Sequence, residues 1–303
     1  MSRHIACITF DFDAMSGFIA RGMTTPTAIS RGEFGAIGVR RILALLKKYR
    51  IPATFYIPGV VIGTYPEISK EIADAGHEIG HHGWTHVPPA NLKPDEEEKG
   101  LIRGIEAIKR LTGAVPRGYR SPAWDLSQAT VELLLRHGFL YDSSMMGNDH
   151  NPYRVRVGDR IQLEEPVVFG RETDLVEMPI SWSLDDFPHF EYLRMPNAIA
   201  PGLMNANHVL ENWINDFEYM TRTTEWGVLT YTCHPYVIGR GHRMLMLERF
   251  LLELMERNAV LLKVEDAARE YSGSALAQAD LRPVQPRVDG SNLIRRVRPK
   301  EVA

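Results

Sequence analysis

Four of the chain's eleven histidines, His77, His81, His82 and His86, fall in the run GHEIGHHGWTH at 76–86. They form two pairs spaced four apart. The first, His77-Glu78-x-x-His81, matches the H-E-x-x-H pattern by which a helix offers two imidazoles to zinc. That works only on a continuous helix, where residues i and i+4 share a face. Gly76, Gly80 and Gly83 deny such a helix, so this pair is set aside. His82 and His86 leave a strand and enter Pro88-Pro89, and a turn there can bring both rings round one ion. Alone, the pair reads equally well as two loop histidines. The stretch Thr9-Phe10-Asp11-Phe12-Asp13 decides it. Period-2 alternation at a strand end points Asp11 and Asp13 the same way. Close like charges need a cation or a raised pKa. Two ring nitrogens and one carboxylate are the three-ligand set of an open catalytic metal site.

Two more residues stand at strand ends. Arg120, in YRSPAWD at 119–125, can pair with a carboxylate and hold it ionised. His234, in YTCH at 231–234 at the end of a late apolar strand, suits a general acid or base. The plain alternatives are a surface ion pair for Arg120 and a structural hydrogen bond for His234. Trp84, Tyr119, Trp124, Trp182 and Phe187 are candidates for a substrate pocket, with Asp185 and Asp186 at its rim. Aromatic side chains more often serve a core, and Trp124 is the best placed of these.

The elements that must carry these residues alternate. Strands are expected at 5–10, 53–57, 78–82, from 118, and at 176–182, 228–232 and 259–264. Helices are expected at 38–50, 66–75, 94–112, 206–221, 242–257 and 266–271, with one capped by Ser127 and running to His137. Repeated β-then-α order implies parallel strands covered by helices. Without a G-x-G-x-x-G, the pattern fits a (β/α) barrel, whose strand ends converge on one mouth. The expectation is a single α/β domain over 1–272 and an irregular tail over 273–303.

The 303 residues carry a formal net charge of −3, with 44% hydrophobic and 24% charged residues. That balance offers nothing to nucleic acid or to an anionic membrane. No apolar run approaches a membrane span. Acids at 11 and 13 interrupt any secretory signal, so a cytoplasmic location is expected. Cys7 and Cys233 read as two buried thiols.

Together the motifs resemble the polysaccharide deacetylase family, also called NodB-homology or carbohydrate esterase 4. Its T-F-D-D-G, H-[ST]-x-x-H, R-x-P and late strand ending in His are similar to residues 9–13, 82–86, 120–122 and 232–234 here. Flanks GHEIG at 76–80 and ATFYIPG at 53–59 match too, and the resemblance spans about 5–270. It implies a distorted (β/α)7 barrel and hydrolysis of C–N amide bonds. Asp13, His82 and His86 would hold one divalent metal, usually zinc. Asp11 would be the general base, Arg120 its orienting partner and His234 the general acid. Phe12 separating the two acids and Gly83 in place of Ser or Thr depart from the pattern. The chain looks most like a cytoplasmic branch that includes peptidoglycan-deacetylase-like proteins, cyclic imide hydrolases and allantoinase-like members. The expected substrate is therefore a small cyclic imide, a ureide or a soluble N-acetyl compound, with an N-acetylated glycan as the alternative. A non-catalytic ligand-binding barrel would lack a ligand or base, and none is missing. A homo-oligomer is expected, with segment 144–175 as a lid or subunit contact.

Overall fold

The computed structural model describes residues 2–195 and 198–274; most of the expected tail, from 275, lies outside them. Eleven strands form among the described residues. They are β1 Arg3–Asp11, β2 Thr54–Ile57, β3 Glu78–His81, β4 Gly118–Tyr119, β5 Tyr141–Asp142, β6 Tyr153–Val157 and β7 Arg171–Glu177, then β8 Leu193–Met195, β9 Ala198–Ala200, β10 Trp226–Cys233 and β11 Val260–Leu262.

Strand β1 is the spine. Ile5, Ala6, Cys7, Ile8 and Phe10 are all buried. A strand apolar on both faces belongs in the middle of a covered parallel sheet. Accordingly β10 runs parallel along one edge of β1, from Arg3↔Trp226 to Phe10↔Cys233. The other edge is shared: β11 pairs with Ile5–Cys7 and β2 with Thr9–Asp11. The sheet continues through β3, β4, β5 and β7 in parallel and ends on antiparallel β6. It curls on itself. A parallel bridge between Asp185 and Thr232, and a Val228 N–H donating to the His150 carbonyl, span the gap back to β10. The fold is the expected curled (β/α)7 half-barrel, in one domain.

The helix Pro26–Tyr49 is twelve residues longer at its start than expected. Gly32, Gly35 and Gly38 occupy its packing face, so the apolar period disappears where the backbones come closest. A β-carbon on Gly38 would lie 2.0 Å from the Pro235 carbonyl oxygen. That contact seats the short helix Pro235–Ile238, which follows His234 directly.

Other expectations shift. Ser127 does not cap the helix Thr130–Arg136; its hydroxyl accepts from the Ala129 N–H and donates to Glu97. Strand β7 ends at Glu177 rather than running from 176 to 182. Within 144–175 the chain builds β6 and the start of β7, an antiparallel edge hairpin. The expected strand at 259–264 shortens to β11, and the last helix starts earlier, at Val264–Ser272. Among the described residues, no helix is long and apolar enough to cross a membrane. Cys7 and Cys233 are buried free thiols.

Candidate metal centre

Asp11 is the last residue of β1, and Asp13 follows after Phe12 turns into the core. The His82 ring hangs just beyond β3. Gly83 then takes φ +73° and reverses the chain so that His86 returns to the same spot. A β-carbon at Gly83 would sit 2.7 Å from the Thr85 carbonyl and 3.0 Å from Pro122 Cγ. Here the departure from Ser or Thr is what the turn requires.

His82 Nε2 stands 3.3 Å from Asp13 Oδ1, and His86 Nε2 stands 3.2 Å from Asp13 Oδ2. All three side chains are buried. His82 Nδ1 donates to the Arg120 carbonyl at 2.7 Å. That bond fixes the proton on Nδ1, so a neutral ring turns the Nε2 lone pair toward a carboxylate oxygen. Neither His82 Nε2 nor Asp13 Oδ1 has a hydrogen-bond partner among the described residues. Two acceptors facing each other in a buried site demand positive charge between them. The oxygen-and-imidazole set, with ligand atoms within 4.8 Å of one another, fits a divalent cation. Burial works to raise the Asp13 pKa, but with no cation bound, positive charge on the His86 and His82 rings outweighs it and holds the carboxyl well below its usual range; a bound cation would supply that charge with both rings neutral.

Asp11 is held apart from that set. Its Oδ1 accepts from Arg120 Nη1 at 2.8 Å, and its Oδ2 lies 3.9 Å from His82 Nε2. Arg120 is wholly buried and tied at every nitrogen. Nη1 also reaches Thr9 Oγ1, Nε donates to the Ser143 carbonyl, and Nη2 donates to Ser143 Oγ. Its guanidinium lies 4.1 Å over the Tyr56 ring. It is an internal clamp, not a surface ion pair.

His234 faces the centre from the opposite side, with Nε2 3.7 Å from Asp13 Oδ2. Its Nδ1 donates to Asp186 Oδ1 at 2.8 Å, and its backbone N–H donates to the same carboxyl group. Asp185 stands 3.4 Å away. Burial would lower the His234 pKa, yet the two carboxylates outweigh it and raise it well above the usual value. Those carboxylates favour the protonated ring, whose second proton sits at Nε2, toward the centre.

Asp11, Asp13, His82, His86, His234 and Trp124 share one pocket of about 80 Å³. Trp182, Phe187 and Asp185 line it, but Asp186, expected at the rim, does not; it is buried against His234. Arg21 and Tyr236 also line it, without having been singled out in the sequence. The Trp124 and Trp182 rings stack at 4.1 Å. Trp84 and Tyr119 are not brought here. They line a separate cavity of about 260 Å³ beneath the helix Pro94–Thr112, where Arg103 covers Trp84 and Tyr119 packs on His81. His77 and His81 point apart as well: His81 Nε2 bonds the Leu101 carbonyl, while His77 packs on Phe55.

Behind Ser143, Asp142 and Glu177 face each other in register on β5 and β7, both fully buried. Burial pushes Asp142 up to about 6. A carboxyl pKa raised on folding gives stability that is complete below the unfolded value and fades as pH rises through the folded one. Asp142→Asn, whose amide can donate to Glu177, should therefore be more stable than wild type at about pH 8, by roughly 2–3 kcal/mol, converging with it below about pH 4. Denaturant melts across that range read it; a gap independent of pH would refute the raised Asp142 pKa.

A family model described as polysaccharide deacetylase matches residues 34–141. The chain is 41% identical to a Helicobacter pylori protein named peptidoglycan deacetylase, over 82% of this chain and 89% of that one. It is 30% identical to the peptidoglycan deacetylase-like protein FGM2 of Gibberella zeae, over 87% and 85%. A Mycobacterium smegmatis crystal structure carrying the polysaccharide deacetylase name superposes with TM-score 0.75 at 32% identity, over 89% of this chain and 90% of that one. The Puue allantoinase structure shares the fold, with TM-score 0.72 at 19% identity, over 91% and 92%.

Proposed function

The chain belongs to the polysaccharide deacetylase family, and from that premise we propose that it is a zinc-dependent hydrolase removing an acetyl group from the nitrogen of an amino sugar. The observation that carries this is the bare His82 Nε2 facing the partnerless Asp13 Oδ1, beside a second carboxylate that Arg120 holds out of the ligand set. The relative named peptidoglycan deacetylase supports the sugar part of the reading.

Asp13, His82 and His86 would hold the cation. Bound there, it supplies Lewis-acid polarisation of a carbonyl and a water of lowered pKa. The rest falls to the chain. Asp11, fixed by Arg120, takes a proton from the attacking water. Arg120 orients Asp11, because its guanidinium has no other carboxylate partner among the described residues. His234, charged through Asp185 and Asp186, gives its Nε2 proton to the departing nitrogen. The stacked Trp124 and Trp182 form one wall of the acyl-sized pocket.

A small cyclic imide is the second reading, favoured by the pocket's mere 80 Å³. Metal analysis of purified protein, followed by a hydrolysis screen of N-acetylglucosamine oligomers, succinimide and allantoin, separates the two. Acetate release with about one zinc per chain is expected. Ring opening of succinimide without acetate release from the sugars would replace the first reading with the second.

A further inference from the structure

Past Tyr236 the catalytic pocket adjoins a second groove, of about 530 Å³, whose lining includes Arg31, Arg240, His242 and Arg243. Tyr236 belongs to both hollows. On a chain of net charge −3, this groove is locally cationic: three arginines line it against one carboxylate, Glu191. Glu191 is already engaged by Arg31. Arg243 is buried; Nη1 and Nη2 donate to the carbonyls of Val237 and Phe190, and Nε finds no acceptor among the described residues. Arg240 is exposed, rests 3.6 Å over Phe34, and has no carboxylate partner among the described residues. Burial, Arg31 and Arg41 all work against its charge.

Crowded guanidinium groups repel, and an anion between them relieves that repulsion. One free guanidinium next to a partly neutralised pair suits a singly charged planar group, which its fork grips with two parallel hydrogen bonds. Building on the function proposed above, we propose that the substrate bears a carboxylate set apart from its scissile amide, and that this groove seats it, with Arg240 as the principal contact. Arg240 is then a specificity residue for the amide hydrolysed next door, and it touches none of the reacting atoms.

The test uses the zinc-loaded full chain and one disaccharide in two forms: N-acetylglucosaminyl-N-acetylmuramic acid with its carboxylate free, or masked as the methyl ester. The free acid should have kcat/KM about tenfold above the ester, through KM, as suits one charge-assisted pair. Arg240→Gln should bring the two forms level while leaving the ester's rate unchanged, and Arg240→Lys should recover part of the preference. Equal rates for acid and ester in wild type, or an equal loss on both in Arg240→Gln, would overturn the proposal. Failure of the proposed function would show differently, as no turnover of either form. Calorimetric binding of both forms to Asp11→Asn protein then reads the groove alone: tighter binding of the acid, lost on adding Arg240→Gln, supports it, and equal binding refutes it.

Discussion

His86→Ala is expected to abolish both bound metal and amide hydrolysis. In the proposed site His86 would supply one of three ligand atoms, and it stands 3.2 Å from Asp13 Oδ2. Two remaining ligands make an incomplete site for zinc. The lost carbonyl polarisation is worth several kcal/mol, so kcat/KM should fall by roughly 10³-fold or more. Dialysis against a chelator should do the same to wild type, reversibly, whereas added zinc should not rescue the variant. The side chain is nearly buried, so a circular dichroism melt must accompany the assay. A folded His86→Ala protein that retains stoichiometric metal and full rate would remove the basis of the mechanism.

Asp11→Asn is the second large effect and differs in kind. Asp11 is not needed to complete the ligand set, and its Oδ1 accepts from Arg120. Asparagine preserves volume and can still accept that bond, so metal content should stay near wild type. What it cannot do is accept a proton. General bases contribute about 10²–10⁴-fold, and a kcat loss near 10³-fold with little change in KM is expected. The pair of results is diagnostic: one variant loses the metal and the rate together, the other loses the rate alone. Asp11→Asn protein with substantial activity would move the base role to another group.

Much of the centre was readable from residue type and short-range period. Asp11 and Asp13 at the end of one strand, the His82/His86 pair after another, Arg120 and His234 each announce themselves, because a barrel gathers strand ends at one mouth. The same period also separates Tyr119 from Arg120. Neighbours on a strand point to opposite faces. If Arg120 faces the mouth, Tyr119 must face away, and it packs on His81 and Phe139. Trp84 is lost to the pocket through the positive φ of Gly83, which a local pattern does not expose. Other features depend on partners far along the chain. Strand β6 is set by its pairing with β7. Asp186 gains its role only because it meets His234, 48 residues later. Arg21 and Tyr236 reach the pocket from two separate helical segments. The early start of the helix Pro26–Tyr49 was hidden by glycines chosen for close approach rather than for burial.

One feature of the mouth is useful at the bench. Ala123 and Trp124 both have φ of +55°, a costly conformation for residues with side chains. The bend lays the Trp124 indole on Trp182 at 4.1 Å, in the wall of the pocket. Two indoles so close couple optically, so the protein carries its own occupancy gauge. A ligand that parts or tilts the rings should change their paired ultraviolet dichroism and emission, reporting entry in real time without any label.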